Sequence, residues 1–346
     1  MEKQDIKSMT QEELRAFLVS LGEKPFRTAQ IYQWMHEKLA SSFDDMTNLS
    51  KVLRQKLQDA CEYVSLEKVR GQISQIDGTR KYLFRLADGN VIESVLMRYK
   101  HGNSVCISSQ VGCRMGCRFC ASTLDGLERN LRPSEMLDQI YQIQKDSGER
   151  VSNVVVMGTG EPLDNYDSLI RFIRMLSDDK GLNISQRNIT VSTCGIVPNI
   201  RRLAEEKLQI TLSVSLHAPD DETRSSIMPV NDAYPVERLM KACRYYFDTT
   251  GRRISYEYMM ARDKTDRPWQ AEKLAKLLRG RPGHVNLIPL NEVEESPLSP
   301  SKPETVRRFQ QALEKRGVTA TVRRKLGPDI DAACGQLRRR EMKEQG

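Results

Sequence analysis

The stretch that most restricts this chain is Cys106–Ser122, CISSQVGCRMGCRFCAS, where Cys113, Cys117 and Cys120 fall at C-x3-C-x2-C spacing and Cys106 stands seven residues upstream. A short loop with this spacing folds three thiolates around one face of a cubic iron–sulfur cluster. A [4Fe–4S] cube has four irons and usually four ligands, so one iron is left open. The alternative is a structural zinc site, which takes four ligands in a closed tetrahedron and typically shows paired CxxC or Cys/His clusters. No second pair of that kind follows in the sequence.

The 346 residues suffice for one large α/β domain with an accessory domain, or for two ordinary domains. Eight cysteines without a secretory leader, behind the polar start MEKQDIKSMT, favour reactive or metal-bound thiols in a reducing compartment over a disulfide scaffold. Cytoplasm is the expected location, and the absence of a run of some eighteen apolar residues excludes a helical membrane span. A net charge of +8 favours a polyanionic partner.

Residues 1–62 read as a helical accessory domain. Thr10-Gln11-Glu12-Glu13 is a capping box, Leu14, Phe17, Leu18 and Leu21 keep helical spacing, and Gly22 stops the run. Further helices carry Ile31, Trp34 and Met35, then Leu53 and Leu57; Lys24, Arg27, Lys51 and Arg54 serve either RNA phosphates or a solvated face. Residues 63–99 switch to period two, with Asp77-Gly78 and Asp88-Gly89 as hairpin turns, and predict a small antiparallel extension. Glu93, a lone carboxylate in an otherwise apolar strand, marks either the solvent side of that strand or a function. From 100 onward, strands near 154–157, 189–191, 210–216, 254–259, 285–289 and 320–322 alternate with helices. That pattern predicts a complete or partial parallel β/α barrel with its chemistry at the carboxyl ends of the strands.

Those strand ends carry polar or tightly turning groups. Gly158-Thr159-Gly160-Glu161-Pro162 lets backbone approach a ligand and offers a carboxylate to an ammonium, but lacks the third glycine of a dinucleotide fingerprint. Ser192, Ser215, Leu216, His217 and Asn291 lie in VSTCG, SVSLHAP and NLIPLN, where hydroxyl, imidazole and amide groups suit a ribose, a carboxylate and an adenine. A single His such as His217 is by itself more often structural. Cys334, between small residues in DIDAACGQL, would alone read as a buried thiol.

In combination, the cysteine triplet with Phe119 before its last member, the Gly-Glu-Pro loop, SLHAP and DIDAACGQL closely resemble the RlmN/Cfr family of radical S-adenosylmethionine (radical SAM) RNA methyltransferases, over nearly the whole chain. The resemblance implies a radical SAM barrel spanning residues 100–346. It implies one [4Fe–4S] cluster on Cys113, Cys117 and Cys120, and SAM contacts at Gly160, Glu161, Ser192, Ser215, Leu216, His217 and Asn291. It assigns Cys334 as the methyl-carrying thiol, Glu93 as the base that removes the ring proton and Cys106 as the resolving thiol, with two SAM per turnover. The expected reaction is methylation at adenine C2 of 23S ribosomal RNA and of transfer RNA. The sister activity at adenine C8, or a zinc-stabilised RNA-binding protein without catalysis, are the alternatives. A flavodoxin- or ferredoxin-like electron donor, a disulfide reductant and a monomeric state complete the expectation. The chain departs from the family pattern at Thr159, where a Met is usual, and at Ala261–Pro268, where a Val-Asn-Asp element is common.

Overall fold

The computed structural model describes residues 3–100, 102–290 and 298–330. The chain begins with the two-residue strand β1 (Gln4–Asp5) and the helices α1 (Gln11–Ser20), α2 (Arg27–His36) and α3 (Lys51–Ala60), and β2 (Cys61–Glu62) returns to pair with β1. Helix α1 starts where the capping box places it: the Thr10 amide donates to Glu13 Oε2 (2.8 Å) and the Glu13 amide donates to Thr10 Oγ1 (3.3 Å).

Next come β3 (Glu67–Ile73), β4 (Arg80–Arg85), β5 (Val91–Tyr99), β6 (Gly102–Ile107), and the short pair β7 (Gln110–Gly112) and β8 (Leu127–Asn130). The remainder alternates: α4 (Pro133–Ser147), β9 (Val151–Val156), α5 (Tyr166–Leu176), β10 (Ile189–Thr193), α6 (Val197–Glu205), β11 (Thr211–Ser215), α7 (Asp221–Ser225), α8 (Val230–Ala233), α9 (Val236–Thr250), β12 (Ile254–Met260), α10 (Pro268–Leu278), β13 (Gly283–Pro289), α11 (Pro303–Glu314) and β14 (Ala320–Val322). Helices α4 and α9 end on Gly148 and Gly251 at φ 68° and 69°, a left-handed conformation that costs glycine little.

One ten-stranded sheet organises the molecule, in the order β14-β13-β12-β11-β10-β9-β6-β5-β4-β3. Strands β6 and β9–β14 run parallel, and β3–β6 are antiparallel neighbours. The antiparallel extension is therefore continuous with the barrel strands, because β6 pairs with β5 on one side and β9 on the other. Among the described residues the sheet does not close: β3 and β14 are its two edges, which makes it a partial barrel.

Strand parity divides the sheet into two faces. Tyr82, Phe84, Ile92, Leu96, Val105, Ile107, Val154, Val156, Val191, Leu212, Tyr256, Val285 and Leu287 belong to the main core with the apolar sides of the helices. Residues of the other parity form the concave inner face. Ordered polar contacts dock the amino-terminal helices onto α4 and α5. Buried Lys7 pairs with Asp138 and donates to the Val64 carbonyl (2.7 Å), His36 Nδ1 meets Tyr141 Oη (2.7 Å), and Tyr32 donates to Asp178 (3.2 Å).

Candidate active site

The cysteine loop hangs from the β7–β8 hairpin. Gly112 (φ 75°) closes its base, where a Cβ would sit 2.0 Å from the Gly126 carbonyl, and the Cys113 amide donates to that same carbonyl (2.7 Å). Inside the loop the Cys120 amide donates to Cys117 O (3.1 Å), and Thr123 Oγ1 donates to the carbonyls of Cys117 (3.2 Å) and Cys120 (3.0 Å). The Arg118 amide ties the loop to Ile227 (3.0 Å), and Cys117 packs with Cys194, Ile227, Met228, Met259 and Ala261. Sequence reading did not foresee the β7–β8 hairpin, whose strands are too short to show a period.

Burial pushes the Cys113 thiol up to about 12 and raises Cys117 as well, with Cys120 adding to both and Cys113 adding to Cys117. Thiols that raise one another in this way are neighbours, and they must lose protons to bind metal. Among the described residues no three His, Cys, Asp or Glu side chains converge as ligands of one metal ion would. A cubane, in contrast, spreads its thiolates over three irons. The three-thiol loop, with Cys117 in an apolar cradle, fits the cluster that the sequence resemblance implies.

The Gly-Glu-Pro loop leans on the segment that leads into Cys113. Gly158 donates to Ile107 O (2.9 Å), Thr159 N to Ser108 Oγ (3.1 Å), and Glu161 N to Gln110 Oε1 (2.8 Å). At Gly160 (φ 109°) a Cβ would come within 2.6 Å of Gln110 Cβ, so only glycine fits. Buried Glu161 accepts the Cys194 amide on Oε2 (2.7 Å) and the Leu163 amide on Oε1 (3.0 Å). Burial raises its carboxyl above the usual range, and those amides oppose the rise.

Across the concavity, Ser192 pairs with Ser213, and Ser215 with Glu257. His217 is held at φ 57°, its Nδ1 accepts the Met259 amide (3.1 Å), and Phe119 meets its ring edge-on at 5.0 Å. Burial, with Arg224 nearby, lowers its pKa to about 3, so the imidazole stays neutral. The Leu216 and His217 amides both donate to Glu257 O (3.1 Å each). Gly160, Glu161, Ser192, Ser215, Leu216 and His217 are thus brought to the carboxyl ends of adjacent strands, around the cysteine loop.

Glu93 and Cys106 also share a face. Val95 lies opposite Cys106 across β5 and β6, and Glu93, two residues from Val95, shares its face. That face is the inner one, since Cys106 pairs with Val155 and Val155 with Thr190. Glu93 is 4% exposed. Its strand has no solvent side, because the inner face is lined by protein. Leu326 packs with Val95, Met97 and Cys106, the Gly327 amide donates to Asp77 (3.0 Å), and Asp329 accepts from Ser74 Oγ (2.6 Å) and the Gln75 amide (2.8 Å). The segment after β14 therefore crosses from one sheet edge, over Cys106, to the β3–β4 turn at the other. Cys334 and Asn291 lie outside the described residues.

Sequence reasoning missed three buried charges. Arg224, fully buried, donates from Nη2 to the carbonyls of Cys194 (2.6 Å) and Ser215 (3.2 Å), from Nε to Leu216 O (3.1 Å), and from Nη1 to Asn231 (3.0 Å). It joins two strand ends of the site, yet its DDETRSS context reads as a solvated charge run. Glu257 accepts from Ser213 Oγ (2.7 Å), Ser255 Oγ (2.9 Å) and Asn286 Nδ2 (2.8 Å). The signal that singled out Glu93, a lone carboxylate in an apolar strand, would have found it. Lys81 is the third, paired with Glu93 at 2.9 Å.

In the loop that departs from the family pattern, buried Thr265 donates to Met259 O (2.6 Å) and accepts the Ala261 amide (2.8 Å), while Asp266 accepts from Ser301 (2.7 Å). Internal hydrogen bonds keep this different sequence in a defined turn. Among the described residues no helix is long and apolar enough to cross a membrane.

Comparison with known proteins agrees with this architecture. Residues 4–63 match the family described as the ribosomal RNA large subunit methyltransferase N-terminal domain, and residues 107–275 match the radical SAM superfamily. A probable dual-specificity RNA methyltransferase RlmN of Lachnospira eligens is 61% identical over 98% of this chain and 97% of its own. The protein of the same description from Lachnoclostridium phytofermentans is 59% identical over 98% and 95%. The crystal structure of a radical SAM methyltransferase from Sphaerobacter thermophilus superposes with a TM-score of 0.92 at 44% identity, covering 96% of this chain and 98% of that one. With a thiol loop, Gly-Glu-Pro turn and inner-face residues disposed as described, the chain belongs to the RlmN family of radical SAM dual-specificity RNA methyltransferases.

Proposed function

We propose that the protein methylates carbon 2 of adenosine in 23S ribosomal RNA and in transfer RNA, by way of a methylated Cys334 and a transient thioether between protein and RNA. The observation that supports this reading is that Glu93 and Cys106 share one buried face, with Leu326, eight residues before Cys334, packed against the apolar cluster that contains Cys106. Adenine C2 has no electron pair to attack a sulfonium methyl group, so the transfer needs radical chemistry. The [4Fe–4S] cluster, held by Cys113, Cys117 and Cys120, supplies when bound the electron that cleaves SAM.

The chain's own groups do the rest. Glu161 receives the SAM ammonium, and Ser192, Ser215, Leu216, His217 and Asn291 surround its ribose, adenine and carboxylate. Cys334 takes a methyl group from a first SAM by nucleophilic transfer and presents it to the radical formed from a second. Joining the sulfur-bound carbon radical to C2 leaves one unpaired electron on the ring; that electron passes back to the electron-transfer partner that supplied it, and Glu93 accepts the ring proton, which restores the aromatic ring. Cys106 Sγ then attacks Cys334 Sγ and the carbon–sulfur bond breaks. Its electron pair stays on the carbon, which takes up a proton to become the product methyl group, and the cysteines are left as a disulfide. An external thiol system must reduce that bond, and a small electron carrier of the flavodoxin or ferredoxin kind must feed the cluster.

Exposed Arg323, Arg324 and Lys325 stand immediately before Leu326, at the rim of the concavity, where RNA phosphates would approach a presented adenine. Cytoplasm is the matching compartment and a monomer suffices, since every named group comes from one chain.

Nucleoside mass spectrometry of ribosomal and transfer RNA from cells with and without the gene tests the reading. Loss of 2-methyladenosine from both pools is expected, whereas loss of 8-methyladenosine would assign the sister activity. With Cys106→Ala, covalent protein–RNA adduct should accumulate, and normal turnover would remove Cys106 from the mechanism.

A further inference from the structure

Lys81 and Glu93 form an ion pair at 2.9 Å in which the lysine is fully buried and the glutamate 4% exposed. Taking both charges out of water costs several kcal/mol per ion in general, and an apolar pair of similar volume is often at least as stable. Inner-face neighbours Val95, Met97 and Val155 show that apolar side chains fit this part of the sheet. The register adds direction. Lys81 lies opposite Val95, and Val95 opposite Cys106, so its backbone sits in the row of the resolving thiol, two strands or about 10 Å away.

We propose that Lys81 is a positioning residue for the proton-transfer step: its ammonium holds the Glu93 carboxylate fixed on the face that carries Cys106, ready to accept the adenine C2 proton. The inference rests on the reading of Glu93 as the base. A charge buried in so dry a place is costly unless it is paired and hydrogen-bonded, so a carboxylate that is to act there is held by a companion cation that does not itself react. Lysine suits this, since its compact charge sits on a flexible stem that reaches a carboxylate on the neighbouring strand. In the step served by the pair, the odd electron left by radical addition has passed back to the electron carrier; the C2–H bond then breaks, its electron pair restores the aromatic ring, and the proton goes to a Glu93 oxygen.

The test uses the cluster-loaded enzyme and an RNA substrate carrying deuterium at adenine C2. Lys81→Met should accumulate the covalent protein–RNA adduct with its deuterium retained, and resolve it at least tenfold more slowly than wild type. Cys334 methylation and reductive SAM cleavage should stay within twofold. Lys81→Arg, which keeps the charge, should restore resolution to within threefold. The Lys81→Met/Glu93→Gln double variant should be no slower than Glu93→Gln alone, because both act through one group.

Adduct that has lost its deuterium in Lys81→Met, or effects of the two substitutions that multiply, would overturn the role assigned to Lys81. A parallel fall of all three steps in both Lys81→Met and Lys81→Arg would make the lysine merely structural and likewise overturn it. Loss of deuterium in Glu93→Gln itself would instead refute the base reading on which the inference stands.

Discussion

Replacing Arg224 by Met removes the fork that joins the carboxyl ends of β10 and β11. Four acceptors lose a charged donor: the carbonyls of Cys194, Ser215 and Leu216 and the side chain of Asn231. Hydrogen bonds to a charged group contribute about 1.5–3 kcal/mol each, so the gross loss is about 6–12 kcal/mol. Against it stands the desolvation of a fully buried guanidinium, several kcal/mol recovered when an apolar side chain takes its place. The Leu216 carbonyl also keeps the Ala218 amide (2.7 Å). The net expectation is a destabilisation of about 3–5 kcal/mol, a large part of the 5–15 kcal/mol typical of a folded domain. Arg224→Lys should be intermediate, since a single ammonium cannot span the four acceptors. Urea unfolding of cluster-free protein measures this without linkage to cluster loss. A difference below about 1 kcal/mol for Arg224→Met would refute the reasoning, because the buried acceptors would then have found other partners at no cost.

Replacing Cys113, Cys117 or Cys120 by Ala should abolish cluster absorbance and SAM cleavage, and retained cleavage would contradict the ligand assignment. His36 and His217 are buried neutral with pKa values lowered to about 3. Their contribution is therefore complete above the unfolded value near 6.5 and declines as pH falls, reaching a loss of about 2 kcal/mol each at pH 5. Urea midpoints between pH 7.5 and 5, a window above most carboxylate titrations, should show the slope, and His36→Gln should remove about half of it. Asp329→Asn weakens the hold on Ser74 and Gln75; Cys334 should then be alkylated several-fold faster and form its disulfide with Cys106 less completely in a fixed thiol buffer, and unchanged values would show that the contact does not govern the tail.

The pattern of apolar strands and glycine-stopped helices made the β/α succession legible, and the cysteine spacing made the loop legible, because both depend on local periodicity or short-range spacing. What the sequence left open depends on long-range pairing. Glu93 could mark a wet or a dry face until β5 was seen between β4 and β6 on an inner surface. Arg224 carries no local sign of burial, since its short helix becomes interior only when α8 and two strand ends fold over it. The link from Asp329 to Ser74 joins residues 255 apart in sequence, and neither is unusual in its own neighbourhood.

The chain that leaves β14 acts as a strap between the margins of an open sheet, tied at Asp77 and Asp329 and resting on Leu326. From Asp329 to Cys334 there are five residues, a tether of at most about 17 Å when drawn straight. The same knot therefore sets both how the two margins of the sheet are joined and the distance at which Cys334 can lie from the β3–β4 turn. Substitutions in a hairpin remote from every cysteine should change the two together.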